Sequence, residues 1–270
     1  KESVEAIQAA RQSFNNGRGE WPSMTAQKRI ACVEKFVKGM KDVKKEIVQA
    51  IMWEICKTTA DAEKEVDRTI AYIYDTITEL KRLENQQSMV CTSGGISAQI
   101  KRSPLGLCVC VAPANYPLNE TYTTLLPALL MGNTIVLKTP RNGGLCHMPT
   151  IKLFQEFFPK GTVNIVHGSG RETLPPMMKT GLVDILAFIG SHKAAHALQV
   201  EHPYPFKLRC VFGLDAKNAA FILPDADMKT TVSECLLGSL SFNGQRCTAL
   251  KILFVHESRV EEFVSKFTAA

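Results

Sequence analysis

The residue with the clearest capacity for chemistry is Cys247, which lies in the run 242–248 (FNGQRCT) near the end of the 270-residue chain. A thiol reacts as its thiolate, which neighbouring positive charge and helix N-termini stabilise. Arg246 precedes the cysteine, and Gly244 allows a ligand to approach the backbone closely. We therefore interpret Cys247 as a candidate nucleophile, with a small buried core cysteine as the alternative.

A second candidate lies far upstream, in the run 103–117 (SPLGLCVCVAPANYP). Its apolar stretch 107–112 predicts a strand that is buried on both faces. Pro113 and Pro117 then restrict the backbone to a turn with Asn115 at its tip. The side-chain amide of Asn115 can donate hydrogen bonds to a ligand above the strand end, or it can simply close its own turn.

Together these two segments resemble the aldehyde dehydrogenase superfamily. In that family a P-x-N-[FY]-P turn carries the asparagine of the oxyanion hole, and a G-Q-x-C segment carries the nucleophile. The resemblance therefore assigns these roles to Asn115 and Cys247, and it covers nearly the whole chain in the family's order. The other matching segments are 135–138 (IVLK), 163–168 (VNIVHG), 188–191 (FIGS) and 223–227 (LPDAD).

The composition is that of a globular protein. Hydrophobic residues make up 45% of the chain, and no stretch reaches the length of a membrane span or forms a basic-then-apolar leader. The net charge of +6 favours an anionic ligand. The basic residues are interleaved with acidic ones, which argues against nucleic acid, because nucleic-acid binding usually needs a concentrated basic stripe. The nine cysteines show no metal-ligand spacing. We therefore expect no metal, no membrane contact, reduced thiols and a cytoplasmic location.

The pattern along the chain predicts an α/β fold in four parts. The pattern of residues 1–87 predicts the helical part of a cofactor-binding domain, and that of 88–103 predicts a hairpin around Gly94 and Gly95. Short apolar runs alternate with helical patterns after Pro104, which predicts a mostly parallel, Rossmann-like sheet flanked by helices. We assign 104–213 to this NAD(P)-binding core and 214–270 to the start of a catalytic domain. The predicted strands are 107–112, 133–138, 162–166, 184–189, 208–212, 219–223 and 250–256.

Ligands of such sheets bind at the carboxyl ends of the strands, so we expect the cofactor there. Gly190 and Ser191 are the better candidates for the pyrophosphate, because Ser191 is expected to begin a helix and helix N-termini favour anions. The segment 168–170 (GSG) lacks the full GxGxxG pattern and is weaker evidence. The candidate cofactor-binding residues are Ala112, Pro113, Lys138, Arg141, Gly168, Gly190 and Ser191.

The choice of cofactor depends on the residues that follow the second predicted strand. The resemblance implies that Lys138 meets the adenosine ribose, and NAD-preferring relatives often carry a glutamate where this chain has Arg141. A carboxylate repels a 2′-phosphate, whereas a guanidinium attracts it. We therefore expect NADP, with NAD as a possibility if Arg141 points into solvent.

Three residues indicate the substrate. Arg246, Tyr116 and Arg82 resemble the arginine and tyrosine residues that hold the substrate phosphate in NADP-dependent, non-phosphorylating glyceraldehyde-3-phosphate dehydrogenases. Arginine suits phosphate because its planar fork forms two charged hydrogen bonds. The alternative for Arg82 is a surface charge beside Glu79, and arginine also precedes the cysteine in relatives that do not bind phosphate.

The resemblance implies a covalent mechanism and also shows one departure from it. By this resemblance Cys247 attacks the aldehyde, Asn115 and the Cys247 N–H hold the oxyanion, hydride passes to the nicotinamide, and water cleaves the thioester that is left. The family's E-L-G-G-K motif becomes GLDAK at 213–217, so Gly213 stands in the place of the general base. Asp215 is a candidate substitute, or an ordinary turn residue.

The favoured function is the glycolytic oxidation of glyceraldehyde 3-phosphate to 3-phosphoglycerate. The alternatives are another aldehyde dehydrogenase, including one that acylates coenzyme A, and a catalytically impaired nucleotide-binding relative. The resemblance also implies a homodimer or homotetramer assembled through the hairpin region. Because the family extends beyond both ends of this sequence, we expect a chain that is truncated in the catalytic domain.

Overall fold

The structure, a computed structural model, describes residues 1–87 and 89–270. Within them the chain divides into two compact units, Lys1–Gly213 and Leu214–Ala270. Ser88, where the predicted hairpin region begins, lies outside the described residues. None of the helices in these two ranges is long and apolar enough to cross a membrane.

The N-terminal part of the first unit is helical, because apolar residues recur every three or four positions and form buried faces. The Thr25 hydroxyl caps one helix by accepting the Lys28 N–H at 3.3 Å. Thr58 does the same for the longest helix through the Asp61 N–H at 3.1 Å. The helices are α1 (Glu2–Phe14), α2 (Glu20–Ser23), α3 (Ala26–Asp42), α4 (Lys44–Ile55) and α5 (Thr59–Gln87).

An exposed antiparallel hairpin follows, as the sequence predicts. Strand β1 (Cys91–Ser93) pairs with β2 (Ile96–Ala98). Gly94 and Gly95 connect them with φ values of 56° and 78°, a left-handed backbone that a tight hairpin turn needs and that glycine adopts without strain.

Five strands of the described chain form a parallel sheet in the order β5-β4-β3-β6-β7. This arrangement confirms the predicted α/β fold. The order reverses on the two sides of β3, the first strand of the sheet, as in dinucleotide-binding folds. The strands are β3 (Leu107–Val111), β4 (Thr134–Lys138), β5 (Val163–Val166), β6 (Ile185–Ile189) and β7 (Arg209–Gly213), and the helices that connect them are α6 (Asn119–Leu130), α7 (Met148–Phe157), α8 (Gly170–Lys179) and α9 (His192–Glu201).

Both faces of the central strands β3, β4 and β6 are buried, and these strands are almost continuously apolar, whereas the edge strand β7 alternates exposed and half-buried residues. Cys108 and Cys110 point to the face covered by α3 to α7, and their sulfurs lie 3.6 Å apart. Leu107 and Val109 point to the opposite face, which α1, α8 and α9 cover. The two layers of helices hold the carboxyl ends of the strands in fixed positions.

The second unit contains β8 (Asn218–Ile222), α10 (Met228–Leu240), β9 (Leu250–Val255) and α11 (Val260–Ala269). The βα repeat that begins after Pro104 does not continue into the strand predicted at 219–223, because β8 pairs with β9 in a separate parallel sheet. Only residues 214–217 separate β7 from β8, and a parallel neighbour needs a crossover of a dozen residues or more.

Candidate functional site

A cavity of about 990 Å³ lies at the carboxyl edge of the five-stranded sheet. The ends of β3 and β4 and the beginnings of α8 and α9 form its walls. This edge, beside the reversal of strand order, is where open α/β sheets bind their ligands. The predicted cofactor residues that line the cavity are Ala112, Lys138, Arg141 and Ser191.

The cavity is strongly cationic. Lys138, Arg141, Arg171 and Lys193 line it, and the described lining residues include no carboxylate. In the part of the chain that the structure describes, the exposed side chains of Arg141, Arg171 and Lys193 form no ion pair or hydrogen bond. An anionic ligand would therefore meet charges that no protein carboxylate neutralises.

Two of these four cations were not predicted from the sequence. Arg171 and Lys193 each come three residues after a glycine that follows a strand, in 168–171 (GSGR) and 190–193 (GSHK). This repeated spacing is the signal that would have identified them. Each stands in the first turn of its helix, α8 or α9, beside N–H groups that themselves favour an anion.

Lys138 differs from the other three cations because it is buried. It is the last residue of β4, is 3% exposed, and its ammonium donates to the Thr139 carbonyl. Burial lowers the pKa of Lys138 below the usual lysine value. The Thr139 hydroxyl lies 2.7 Å from Nδ1 of His167. Burial, followed by the charge of Lys138, lowers the pKa of His167.

The remaining predicted cofactor residues lie beside the cavity-lining residues. Ser191 is the N-cap of α9 and accepts the Ala194 N–H at 3.3 Å, so it begins that helix as expected. Gly168 has a φ of 106°, which favours glycine. At Gly190 a Cβ would lie 2.8 Å from the Phe188 ring, so any side chain there would require the ring to move. Gly168, Gly190 and Pro113 are each adjacent in sequence to a lining residue.

The turn that carries Asn115 lies between β3 and α6 and is held closely by its neighbours. Asn115 is half-buried. Gly143, with a φ of 94°, contacts the turn so closely that a Cβ there would lie 2.8 Å from Cβ of Pro117. On another side the Lys57 ammonium lies 3.6 Å from the centroid of the Tyr116 ring. The Tyr116 ring therefore already has a cationic partner within the protein.

Cys247 belongs to the second unit, where it is exposed and free. This exposure differs from the alternative of a buried core cysteine. Asn218 of β8 donates hydrogen bonds to the carbonyls of Cys247 and Ala249, at 2.6 Å and 3.1 Å. Before the cysteine the chain makes a tight turn in which Phe242 and Asn243 have φ values of 55° and 57°. The backbone that carries Cys247 is therefore held by the Asn218 side chain.

The two arginines that the sequence assigned to substrate phosphate have other partners in the structure. Arg246 donates to the carbonyls of Leu237 and Gly238, both at 3.2 Å, near the end of α10. Arg82 pairs with Glu79 at 2.8 Å on the exposed face of α5, as its surface-charge alternative expects. Phosphate binding by either residue would require exchange of these partners, so neither arrangement supports the predicted role.

The place of the family's general base contains no proton-transferring side chain. Gly213 ends β7, and its carbonyl accepts the Gly190 N–H at 3.0 Å. Asp215 is exposed and lies in the segment between β7 and β8. No group of three or more His, Cys, Asp and Glu residues that could hold a metal occurs in residues 1–87 and 89–270.

A Rossmann-type sheet with a cationic cavity at its reversal of strand order is typical of dinucleotide-binding proteins. Comparison with known sequences makes the assignment specific. The profile of the aldehyde dehydrogenase family matches residues 1–270, so this chain belongs to that family.

The most similar proteins include several kinds of aldehyde dehydrogenase. Malonate-semialdehyde dehydrogenase of Bacillus cytotoxicus is 29% identical over 98% of this chain and 53% of its own length. NADP-dependent glyceraldehyde-3-phosphate dehydrogenase of Arabidopsis thaliana is 28% identical over 98% of this chain and 54% of its own length. The chain thus spans about half the length of these curated relatives.

Solved structures show the same likeness. NADP-dependent glyceraldehyde-3-phosphate dehydrogenase from Bacillus halodurans C-125, complexed with NADP, superposes with a TM-score of 0.88 at 26% identity. This match covers 99% of this chain and 56% of that one. Betaine aldehyde dehydrogenase from Staphylococcus aureus, in complex with NAD+, gives a TM-score of 0.86 at 26% identity, covering 98% and 52%.

Proposed function

We propose that this protein is an NADP-dependent aldehyde dehydrogenase, which oxidises an aldehyde to a carboxylic acid through a thioester on Cys247. The observation that carries the proposal is the cavity with four cations and no lining carboxylate, at the carboxyl edge of the sheet in a chain of this family. The exposed thiol in the family's G-Q-x-C segment supports it.

The residues of the cavity fit NADP. Lys138 offers a buried ammonium for the adenosine ribose, and Arg141 stands where a carboxylate would repel a 2′-phosphate. The start of α9 at Ser191 offers N–H groups to the pyrophosphate. Leu174, Phe188 and other apolar lining residues suit the adenine ring. The B. halodurans relative complexed with NADP favours the same cofactor, and the S. aureus relative in complex with NAD+ keeps NAD as the alternative.

The chemistry follows from the two candidate catalytic residues. The Cys247 thiolate adds to the aldehyde carbon, and the carbonyl oxygen becomes an oxyanion. The Asn115 amide and the Cys247 N–H donate hydrogen bonds to that oxyanion. NADP, when bound, supplies the hydride acceptor. The resulting thioester is cleaved by water, which releases the acid and regenerates the thiol.

Glyceraldehyde 3-phosphate is the substrate that we favour, with 3-phosphoglycerate as product. The similarity to two NADP-dependent glyceraldehyde-3-phosphate dehydrogenases supports it. Malonate-semialdehyde dehydrogenases are equally similar, so another aldehyde, or transfer of the acyl group to coenzyme A, is the alternative. We also propose a homodimer or homotetramer that uses the exposed β1–β2 hairpin. The cytoplasmic location stays a prediction from the cysteine pattern.

One observation favours a second candidate, a nucleotide-binding relative with impaired catalysis. Gly213 has no side chain to activate water, and general-base catalysis contributes roughly 10²–10⁴-fold. Asp215 is the residue that would have to replace it. In this second candidate the cavity binds NADP, but the thioester forms slowly or persists.

The two candidates are separated by following NADPH absorbance with the full-length protein and a panel of phosphorylated and unphosphorylated aldehydes. Steady NADPH formation with glyceraldehyde 3-phosphate, in the absence of inorganic phosphate, supports the first candidate. A single burst followed by no turnover, or NADP binding without any NADPH, identifies the second. A protein that binds neither NADP nor NAD would contradict both.

A further inference from the structure

A buried ion pair in the N-terminal helical part contacts the turn that carries Asn115. Lys57, just after α4, lies 2.6 Å from Oε2 of Glu65 on α5, and both side chains are fully buried. Burial of two charges costs more free energy than an apolar pair of the same size, so such a pair contributes little net stability. Stability therefore does not explain why the pair is present, and its other contacts indicate what it does.

Glu65 binds the backbone at the start of α6. Its second oxygen, Oε1, accepts the N–H of Leu118 at 3.0 Å and the N–H of Asn119 at 3.2 Å. These N–H groups belong to the open first turn of the helix, where a carboxylate is favoured by direct hydrogen bonds and by the helix dipole. Glu65 thus fixes the end of the turn that begins at Pro113.

Lys57 contacts the same turn two residues closer to Asn115. Its ammonium lies 3.6 Å from the centroid of the Tyr116 ring, within the range of a cation–π interaction. One member of the pair therefore contacts Tyr116, and the other binds Leu118 and Asn119. Both contacts reach the three or four residues that directly follow Asn115.

We propose that Lys57 and Glu65 are positioning residues, which hold the Asn115 turn in the geometry that an oxyanion donor requires. The catalytic part of this inference rests on the proposed function. A donor must lie about 2.7–3.1 Å from the developing oxyanion, and removal of one such donor costs about 10²–10³-fold. A displacement of about 1 Å costs about 10²-fold. A turn between a strand and a helix keeps that precision only if both of its ends are fixed.

The test compares two buried charges at opposite ends of α6 in the full-length protein. Glu65→Gln keeps the shape of the side chain and removes the negative charge to which Lys57 and the two N–H groups donate hydrogen bonds. Its matched control is Arg29→Met, because Arg29 is also buried and donates from Nε to the Leu130 carbonyl at the other end of α6, at 2.7 Å. Lys57→Arg keeps the positive charge and serves as the conservative variant.

We expect Glu65→Gln to slow the first burst of NADPH by about 10–100-fold while the Kd for NADP stays unchanged. Arg29→Met is expected to lower Tm without changing the burst rate, and Lys57→Arg to retain most of it. A folded Glu65→Gln protein with the wild-type burst rate would overturn the proposal. Equal slowing by Arg29→Met would also overturn it, because the effect would then follow stability alone.

Hydrogen exchange of the segment 113–121 provides a measurement that does not need activity. We expect the amides of Leu118 and Asn119 to exchange faster in Glu65→Gln and at the wild-type rate in Arg29→Met. If the wild type forms no NADPH with any aldehyde, the proposed function fails, and exchange alone decides whether the pair holds the turn. Unchanged exchange refutes it. Should Glu65→Gln not fold, the neutral pair Lys57→Gln with Glu65→Gln takes its place in both measurements.

Discussion

The two units of this chain hold their candidate functional residues by different means. In the first unit, Lys138 and the Asn115 turn stand at the ends of buried strands, which lie between two layers of helices. In the second unit, Cys247 is exposed, and its segment is fixed by hydrogen bonds from Asn218 and Arg246 to backbone carbonyls. The cavity thus stands at the edge of a buried core, whereas the thiol lies on an exposed turn.

The second unit also buries fewer apolar side chains than the first. The core of the second unit is small, and its sheet exposes Phe221 and Phe254, whose rings stack with centroids 5.0 Å apart. The comparison teaches that cofactor binding and thiol chemistry are encoded separately. Each can therefore be removed without the other. Three predictions test this separation, and a fourth tests the buried core of the first unit.

The largest effect is expected at Cys247. Cys247→Ser replaces the thiolate by a weak nucleophile, so NADPH formation should fall by about 10⁴-fold or more. The Kd for NADP, measured by fluorescence titration, should not change, because the cationic cavity lies wholly in the first unit. Cys91→Ser, at another exposed free cysteine, is the control and should keep full activity. Full activity in Cys247→Ser would end the thioester mechanism.

The second effect concerns chemistry that depends on the first unit. Asn115→Ala removes one proposed oxyanion donor, and kcat should fall by about 10²–10³-fold. The Kd for NADP should again stay constant, since the described lining of the cavity does not include Asn115. Asn115→Asp, which has the same shape but brings a negative charge to the oxyanion, should be at least as slow. Equal activity of the Ala variant and the wild type would contradict the assignment.

The sequence could predict the elements of the fold because their signals are local. Each of the seven predicted strands of the core and the second unit begins and ends within one residue of the observed strand. The motif residues were also placed correctly along the chain, with Lys138 at the end of a strand and Ser191 at the start of a helix. Such signals need only the period and the polarity of neighbouring residues.

Contacts between distant residues could not be predicted in the same way. Glu65 and Leu118 are separated by 53 positions, and nothing near either residue indicates that they meet. A weaker signal did exist, because Glu65 stands next to Val66 on the buried face of α5, where a charge needs a partner. The partners of Arg246 could not be predicted either, because they depend on how the 241–244 turn folds back on α10.

The third prediction concerns the stability of the first unit. His147 is fully buried, and burial, followed by the charge of His167, lowers its pKa from 6.5 to about 4. Above pH 6.5 His147 is neutral in both the folded and the unfolded chain, so folding incurs no penalty for keeping it uncharged. As the pH falls through about 4, protonation of this histidine in the unfolded chain has lowered the free energy of unfolding by its full amount. The loss should reach about 3 kcal/mol.

Urea unfolding followed by tryptophan fluorescence measures this loss in the first unit, because both tryptophans, Trp21 and Trp53, lie there. His147→Phe should flatten the pH dependence between 6.5 and 4. His196→Phe, at an exposed position of α9, is the control and should leave it unchanged. If the wild type and His147→Phe lose stability in parallel, His147 is not the group that titrates.

The smallest effect tests which phosphate the cavity recognises. Arg141→Ala should weaken NADP binding by about tenfold, because one exposed charge-assisted contact is lost and solvent screens it. NAD binding should not change, and Arg141→Glu should reverse the preference, since a carboxylate repels the 2′-phosphate. Arg68→Ala, at an exposed position of α5 outside the cavity, controls for net charge. An equal loss for NAD and NADP would mean that Arg141 contacts the pyrophosphate that both share. The selectivity would then have to come from Arg171 or Lys193.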